Sequence, residues 1–211
     1  DNMNYSNNAV YSIVDFDEET CEMTLINNQA FLDEGLDLYA PQTTLDKFGN
    51  RILIGWMRMP IAFEDENWIG MMTLPRVVNV KKDKVYFTIP DYIDKLFNKK
   101  VKLSEFNNQE AYKLNVTLNE ESILNIGGYK ISVSEDMIVA DRTEVFPELN
   151  RKGRVFNSSK LNGRYELKIY IDSGIIEIFI NEGKYVISNI VYNLTSNIEA
   201  NNVEKIEMFK L

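Results

Sequence analysis

Residues 166–192 read ELKIYIDSGIIEIFINEGKYVISNIVY, and this stretch predicts a three-stranded antiparallel meander. Apolar residues alternate with polar ones in its first two strands, and a period of two places them on one face of a sheet. Turns are expected at residues 172–174 and 181–183, where Asp, Asn and Gly favour tight reversals. Glu177 lies on the opposite face, where we expect it to meet solvent or another sheet rather than to act as a catalyst. We expect one core between two sheets to contain the six alternating residues Leu167, Ile169, Ile171, Ile176, Ile178 and Ile180.

Most of the remaining sequence has the same strand-like period. Further strands are predicted over 10–16, 21–25, 38–45, 51–57, 71–80, 85–89, 111–118, 122–126, 130–133, 137–141 and 203–211. Residues 90–100 differ: Asp91 can cap a short helix after Pro90, and Lys99 and Lys100 suit its C-terminus. Many short strands at even spacing are typical of a sandwich or barrel rather than of βαβ units. The sequence therefore predicts an all-β fold whose two regions are joined by a short helix.

Composition excludes several classes of function. The chain has 211 residues and a formal net charge of −9, which argues against nucleic-acid binding, and it contains no apolar run long enough for a membrane span. Histidine is absent, which excludes Ser-His-Asp and Cys-His catalysis and imidazole metal sites. The single cysteine, Cys21, excludes an internal disulfide and leaves zinc without a thiolate set. No cofactor or metal is expected, and the chemistry must rest on carboxylates, amides, hydroxyls and aromatic rings, which suit sugars.

Asp37, Tyr39 and Trp56 are the candidate binding residues. Asp37 and Tyr39 share one face of an extended strand, and a carboxylate beside a phenol is a good pair for sugar hydroxyls. Pro41 cannot donate to a sheet ladder, so we expect that strand end to be irregular. Trp56 follows the buried run 52–54 and is either a core residue or a platform for a sugar ring. The alternative for Asp37 is a solvated residue on an edge strand.

A hydrolytic pair of carboxylates is not evident. Glycosidases place two carboxyl groups on either side of the scissile bond, and no such pair stands out in this sequence. Asp15 and Asp17 share a strand face, but Asp17 opens a turn, which favours a structural role. The cluster at 64–66 lacks the spacing of a metal site and is interpreted as a solvated loop, and Trp68 beside it is expected to be exposed.

Two ordered motifs resemble glycoside hydrolase family 32, the family of invertases, sucrose-6-phosphate hydrolases, levanases and inulinases. They are GLDLYAPQTTLDKFGNRILIGWMRMP at 35–60 and WIGMMTLPRVV at 68–78. The strands of 166–192 are similar to the family's last conserved strands. The likeness covers essentially the whole chain and is weakest over 98–162.

The resemblance implies the end of a five-bladed β-propeller followed by a β-sandwich. It assigns residues 1–89 to the C-terminal part of the propeller, 90–100 to a linker helix and 101–211 to the sandwich. It implies that Asp37, Tyr39 and Trp56 contact a fructosyl sugar. Leu38 replaces the usual Phe and is expected to point away from the site.

The family's three catalytic carboxylates lie in Asn-Asp-Pro-Asn, Arg-Asp-Pro and Glu-Cys motifs, none of which occurs here. The chain also starts at Asp1 without Met or a signal peptide. We therefore expect the C-terminal portion of a retaining β-fructofuranosidase, inactive by itself and prone to self-association through the cut edge of the propeller. A cytoplasmic sucrose-6-phosphate hydrolase is preferred, with secretion left open. The competing hypothesis is a non-catalytic β-sandwich module for carbohydrate binding or scaffolding.

Overall fold

The computed structural model describes residues 8–64, 66–148 and 153–211. Regular structure in these ranges is almost entirely β, as predicted. The first four strands are short and form two separate ribbons, in which β1 pairs with β4 and β2 with β3. Their bounds are β1 Val10–Tyr11, β2 Val14–Phe16, β3 Met23–Leu25 and β4 Ala30–Phe31. The hairpin predicted from residues 10–16 and 21–25 is confirmed for residues 14–16 and 23–25, whereas residues 10–11 form a separate strand that pairs with β4.

An antiparallel sheet in the order β5-β6-β8-β9 follows, with β7 added beside β6. Its strands are β5 Leu38–Leu45, β6 Arg51–Met57, β7 Met71–Met72, β8 Arg76–Lys81 and β9 Lys84–Thr88. The register of β5 and β6 shifts between Tyr39 and Gln42, and Ala40 has a φ of +45°. Pro41 lies inside this shift because it has no N–H for the ladder. The predicted irregular strand end is confirmed.

The connecting helix is shorter than the sequence predicted. Helix α1 spans Asp91–Asp94, and its N-cap residue is Pro90 rather than Asp91. Lys99 and Lys100 do not belong to the helix. They lie in strand β10, Lys99–Val101, which pairs with the last strand of the chain. A helix turn exposed on most sides gains little, whereas pairing with a sheet edge satisfies the backbone of Lys99 and Lys100.

The second region is a two-sheet sandwich. One sheet has the order β10-β20-β11-β16-β17-β18 and the other has the order β15-β14-β13-β12-β19. The strands are β11 Tyr112–Thr117, β12 Ile123–Ile126, β13 Tyr129–Ser134, β14 Met137–Asp141, β15 Val155–Asn157, β16 Glu166–Asp172, β17 Ile175–Ile180, β18 Tyr185–Ile190, β19 Ile198–Asn201 and β20 Lys205–Lys210. Consecutive antiparallel pairing of β16, β17 and β18 confirms the predicted meander.

Two hydrophobic cores hold the chain together. The first fills the sandwich and contains all six residues predicted for it, Leu167, Ile169, Ile171, Ile176, Ile178 and Ile180. The second lies between the β5–β9 sheet and the outer face of the sandwich. There Leu38, Met57 and Phe87 pack with Phe179 and Ile190. Strand β17 is buried along its whole length because it contributes to both cores.

Residues 33–37 cover the exposed edge of the six-stranded sheet. The backbone N–H of Ser188 in β18 donates to Asp33 Oδ1 at 2.8 Å, and that of Ile190 donates to Asp37 Oδ2 at 3.0 Å. A side chain on Gly35 would place its Cβ 2.1 Å from the carbonyl oxygen of Ser188, so only glycine permits this approach. The carboxylates thus satisfy donors that an open edge strand would leave unpaired.

Candidate functional site

Tyr39 and Trp56 meet as a cross-strand pair. They are directly opposite in the β5–β6 ladder, and their rings contact edge to face with centroids 6.1 Å apart. The guanidinium of Arg58 lies 5.5 Å from the centre of the Tyr39 ring. Gly70, with a φ of +104°, makes room for the indole: a Cβ there would lie 1.9 Å from Trp56 Nε1. The pair offers an aromatic surface edged by cationic and phenolic donors, as sugar-binding sites do.

A cavity of about 180 Å³ opens beside this pair. Asp37, Trp56, Arg58 and Phe146 line it together with Met59 and Pro60. Two of the three predicted binding residues therefore border one cavity, and Tyr39 packs against both Trp56 and Arg58. Tyr39 is exposed and Trp56 half-buried. Leu38 is buried in the second core and does not line this cavity.

Asp37 is buried and already engaged by the sandwich. Both of its oxygens accept hydrogen bonds from Arg142, Oδ2 from Nη1 and Oδ1 from Nη2, the latter at 3.2 Å. Oδ2 also accepts the N–H of Ile190. Only 3% of Asp37 is exposed. Its carboxylate binds the two regions of the chain together, and its role as a sugar ligand stays a prediction.

Arg142 is enclosed on every side. Its guanidinium stacks 3.7 Å from the centre of the Phe146 ring and also contacts Phe156. The backbone oxygens of Gly153 and Ile190 accept further hydrogen bonds from it at 2.9 to 3.0 Å. A planar fork with five donors suits this combination of carboxylate, carbonyls and ring faces.

A second buried arginine also links the two regions, but here the arginine belongs to the first region and its partner Glu177 to the sandwich. Arg76 of β8 donates to Glu177 of β17 at 2.7 Å and to Ser188 Oγ at 2.8 Å, and it pairs with Asp33 at 2.9 Å. Glu177 also accepts the N–H of Leu74 at 2.6 Å. The prediction that Glu177 makes a contact beyond its own sheet is confirmed, and the alternative of a solvent-facing Glu177 is wrong.

Burial shifts the pKa values of the three charged residues in this second cluster, Asp33, Arg76 and Glu177. Desolvation raises the pKa of Asp33 and of Glu177, and the positive charge of Arg76 opposes both increases. Desolvation also lowers the pKa of Arg76, but the charges of Glu177 and Asp33 reverse this effect and raise the pKa above its usual value. Two carboxylates thus share one guanidinium inside the interface between the two regions.

Asp17, Glu66 and Trp68 lie where the sequence suggested. Asp17 accepts the backbone N–H groups of Glu19 and Thr20 in its turn, which supports the structural role. Glu66 is exposed and accepts the indole N–H of Trp68 at 2.7 Å, and Trp68 is itself 45% exposed. Asp65 lies outside the described residues. In the parts of the chain that the structure describes, no group of three or more acidic or Cys residues is arranged to hold a metal ion.

Sequence reasoning missed Asp33, Arg76 and Arg142. A signal for one of them was present: residues 175–180 read IIEIFI, and a strand apolar on both faces with one Glu needs a buried cation nearby. Arg76 ends the TLPR motif and was the available candidate. Arg142 carries no comparable signal, because the sequence predicts that its partner Asp37 meets a sugar or solvent rather than a buried cation.

The sequence also matches two family models in chain order. Residues 2–90 match the glycosyl hydrolases family 32 N-terminal domain, and residues 94–210 match the glycosyl hydrolases family 32 C-terminal domain. The chain belongs to glycosyl hydrolase family 32. The resemblance drawn from the two motifs is thereby confirmed. The two matched domains correspond to the family's propeller and sandwich.

Curated family 32 relatives are longer than this chain. The sucrose-6-phosphate hydrolase of Vibrio alginolyticus is 32% identical over 79% of the chain and 37% of the relative. The sucrose-6-phosphate hydrolase of Bacillus subtilis (strain 168) is 29% identical over 80% of the chain and 39% of the relative. The chain thus spans well under half the length of the relatives it matches.

Solved family 32 structures share the fold. The sucrose-6-phosphate hydrolase of Lactobacillus gasseri superposes with a TM-score of 0.77 at 22% identity, covering 93% of this chain and 46% of that one. A β-fructofuranosidase of Bombyx mori gives 0.76 at 20% identity, covering 100% and 49%. Among the residues described, no helix has the length and apolar character to cross a membrane.

Proposed function

We propose that this chain is the C-terminal portion of a retaining β-fructofuranosidase. The observation that carries the proposal is the ordered match of both family 32 domains along one chain, over 2–90 and 94–210. Matched relatives bear the names sucrose-6-phosphate hydrolase and raffinose invertase. We assign residues 1–89 to the end of the propeller, 90–100 to the linker and 101–211 to the sandwich.

The substrate is a fructosyl sugar, and the chain contributes part of its binding wall. A related Bombyx mori β-fructofuranosidase has been solved in complex with sucrose. Trp56 and Tyr39 would stack and orient the sugar, while the donors of Arg58 face its hydroxyl groups. Asp37 would act from the edge of the same cavity, with its position fixed by Arg142.

The reaction needs groups that this chain does not carry in recognisable motifs. In a retaining mechanism one carboxylate attacks the anomeric carbon, and a second carboxylic acid protonates the leaving oxygen. Water then releases fructose from the covalent intermediate. We propose that the nucleophile and the acid come from a preceding part of a longer protein, and that this chain alone is inactive. Sucrose 6-phosphate in the cytoplasm is the preferred substrate and location.

A chimera tests the assignment. The chain would replace the aligned segment of the Vibrio alginolyticus sucrose-6-phosphate hydrolase, and fructose release from sucrose 6-phosphate would be measured. We expect activity in the chimera, a fall in kcat/KM of at least about tenfold for Trp56→Ala, and little change for the exposed Trp68→Phe. A folded chimera without fructose release would contradict the proposal.

The isolated chain provides the complementary test. We expect it to release no fructose from sucrose or sucrose 6-phosphate, because losing both nucleophile and acid removes many orders of magnitude in rate. Fructose release by a preparation free of host invertase would contradict its proposed inactivity, without affecting the assignment to a fructosyl substrate.

We also propose that the isolated chain associates through the first region. Several large apolar side chains there are more than half exposed, namely Met23, Leu25, Ile26, Leu45 and Phe48. Short ribbons with unpaired edges invite strand pairing with another copy. Analytical ultracentrifugation should reveal dimers or larger species, and limited proteolysis of a dilute sample should cut before Lys100 first. A strictly monomeric chain with uniform resistance would contradict this proposal.

A further inference from the structure

A second cavity, away from the aromatic pair, lies where β1, β4 and β9 meet the start of β18. Its volume is about 330 Å³. We call it the basic cavity and define it by Glu34, Lys84, Lys184 and Tyr185, beside which Gln29 and Ser159 are neutral polar residues of its wall. Tyr11, Phe31 and Phe87 supply apolar wall. It shares no lining residue with the cavity beside Trp56.

The basic cavity contains hydrogen-bond donors that lack acceptors. Lys84 Nζ donates to the hydroxyl oxygen of Tyr185 at 2.7 Å. The hydroxyl therefore acts as acceptor in that bond, and its own proton has no acceptor among the described residues. Lys84 keeps two further N–H groups. The ammonium group of Lys184 lies 5.5 Å from the centre of the same ring and makes no hydrogen bond or ion pair within the described ranges.

Glu34 is the one acidic group on the wall. Its backbone N–H is fixed by the carbonyl oxygen of Val186 at 2.7 Å, but no described residue donates to its carboxyl group. Burial raises the pKa of Glu34 to about 7, the negative charge of Asp33 adds to the increase, and Lys84 opposes it. Near neutral pH the carboxyl group is therefore partly protonated, and in that form it is another donor.

We propose that the basic cavity binds a small tetrahedral oxyanion, a sulfate or phosphate group, between Lys84, Lys184 and the hydroxyl of Tyr185. Two ammonium groups and a phenol line this cavity, and among the described residues the bond from Lys84 to Tyr185 is the one side-chain hydrogen bond that engages any of them. An oxyanion supplies three or four acceptor oxygens and two negative charges, which match these donors. The overall charge of −9 makes this local excess of cations stand out.

Binding of the anion is linked to a proton on Glu34. An ionised Glu34 repels the anion, whereas a protonated Glu34 adds a hydrogen bond to it. The charged and titratable groups around Glu34 are Asp33 on its own segment, Tyr11 on β1, Lys84 on β9, Lys184 and Tyr185 at the start of β18, and Arg76 behind Asp33. The chain has no histidine, so titration between pH 6 and pH 8 is not complicated by imidazole.

Sulfate is the probe, because its charge does not change between pH 6 and pH 8. Isothermal titration calorimetry of the full chain with sodium sulfate, at constant ionic strength set by chloride, should give one site per chain. Affinity should be about tenfold weaker at pH 8 than at pH 6, since the protonated fraction of Glu34 falls by that factor. Buffers of different ionisation enthalpy should reveal proton uptake at pH 8.

Three variants and one control separate the site from general charge effects. Lys184→Met should weaken sulfate binding at least tenfold, and Tyr185→Phe should weaken it severalfold. Glu34→Gln should bind equally well at both pH values. Lys95→Met removes an exposed lysine far from the cavity and should leave binding unchanged. Circular dichroism and urea unfolding confirm that each variant is folded.

Two results would overturn the proposal. One is the absence of saturable sulfate binding up to about 50 mM at pH 6. The other is the same affinity in a folded Lys184→Met as in the parent chain. Inorganic phosphate and glucose 6-phosphate, with glucose as the neutral control, then identify the source of the group: tighter binding of the ester favours a phosphorylated sugar, and equal binding favours the free ion.

Discussion

Replacing Asp37 by Asn should destabilise the chain severely, because it leaves Arg142 charged in a closed environment. Arg142 is fully buried, and Asp37 is its carboxylate partner. Asn is close in size to Asp but presents an NH2 group to at least one guanidinium N–H. The substitution therefore removes the negative charge and sets donor against donor.

The magnitude follows from the contacts. Asp37 accepts three hydrogen bonds, two from Arg142 and one from Ile190. Bonds to charged groups contribute about 1.5–3 kcal/mol each, and removing one partner of a buried ion pair costs about 3–5 kcal/mol. The carbonyl oxygens of Gly153 and Ile190 still accept hydrogen bonds from Arg142. We therefore expect the free energy of unfolding to fall by about 3–4 kcal/mol at neutral pH.

Urea unfolding of a double-mutant cycle measures the loss. The cycle comprises Asp37→Asn, Arg142→Met and the pair of changes, with Asp91→Asn as the matched control, since its carboxylate is 90% exposed in a surface pair with Lys95. The free energy of unfolding of the double variant should fall by clearly less than the sum of the two single losses. That of the control should change by less than about 0.5 kcal/mol. A loss below about 1 kcal/mol for Asp37→Asn, or strict additivity, would refute the reasoning.

Two other predictions concern the core and the basic cavity. Ile178→Ala should cost about 2–5 kcal/mol in urea unfolding, since Ile178 is fully buried, while Ile123→Ala on the exposed face should cost much less; equal losses would mean that the faces are wrongly assigned. For Glu34, the folded-state pKa of about 7 exceeds the ordinary value of 4.5, so the folded chain binds more protons and stability falls as the pH rises between these values. Glu34→Gln should remove about 1–3 kcal/mol of that dependence, and an unchanged pH profile of unfolding would contradict it.

The strand pattern predicted the sandwich well because its evidence is local. In 166–192 the alternation is regular, the turns contain Asn, Asp and Gly, and each strand pairs with its neighbour in sequence. Core membership then follows from the period alone. The irregularity at Pro41 was predictable for the same reason, since a missing N–H is a property of one residue.

The linker illustrates where local reasoning ends. Lys99 and Lys100 are favourable at a helix C-terminus, and the sequence therefore predicts a helix that extends to them. Their actual partners are Lys210 and Phe209 in β20, more than 100 positions later. Sheet pairing with a distant strand outweighs a helix preference worth a few tenths of a kcal/mol per residue.

The same limit shapes the interpretation of Asp37. Strand alternation placed it beside Tyr39, and the structure brings Tyr39 and Trp56 together at a cavity that Asp37 also borders. Which group the carboxylate faces, however, is decided by Arg142, which no local pattern connects to it. Lost activity in an Asp37 variant would therefore report on interface stability as much as on sugar contact. Trp56 and Tyr39, which carry no interdomain ion pair, are the residues whose substitution isolates binding.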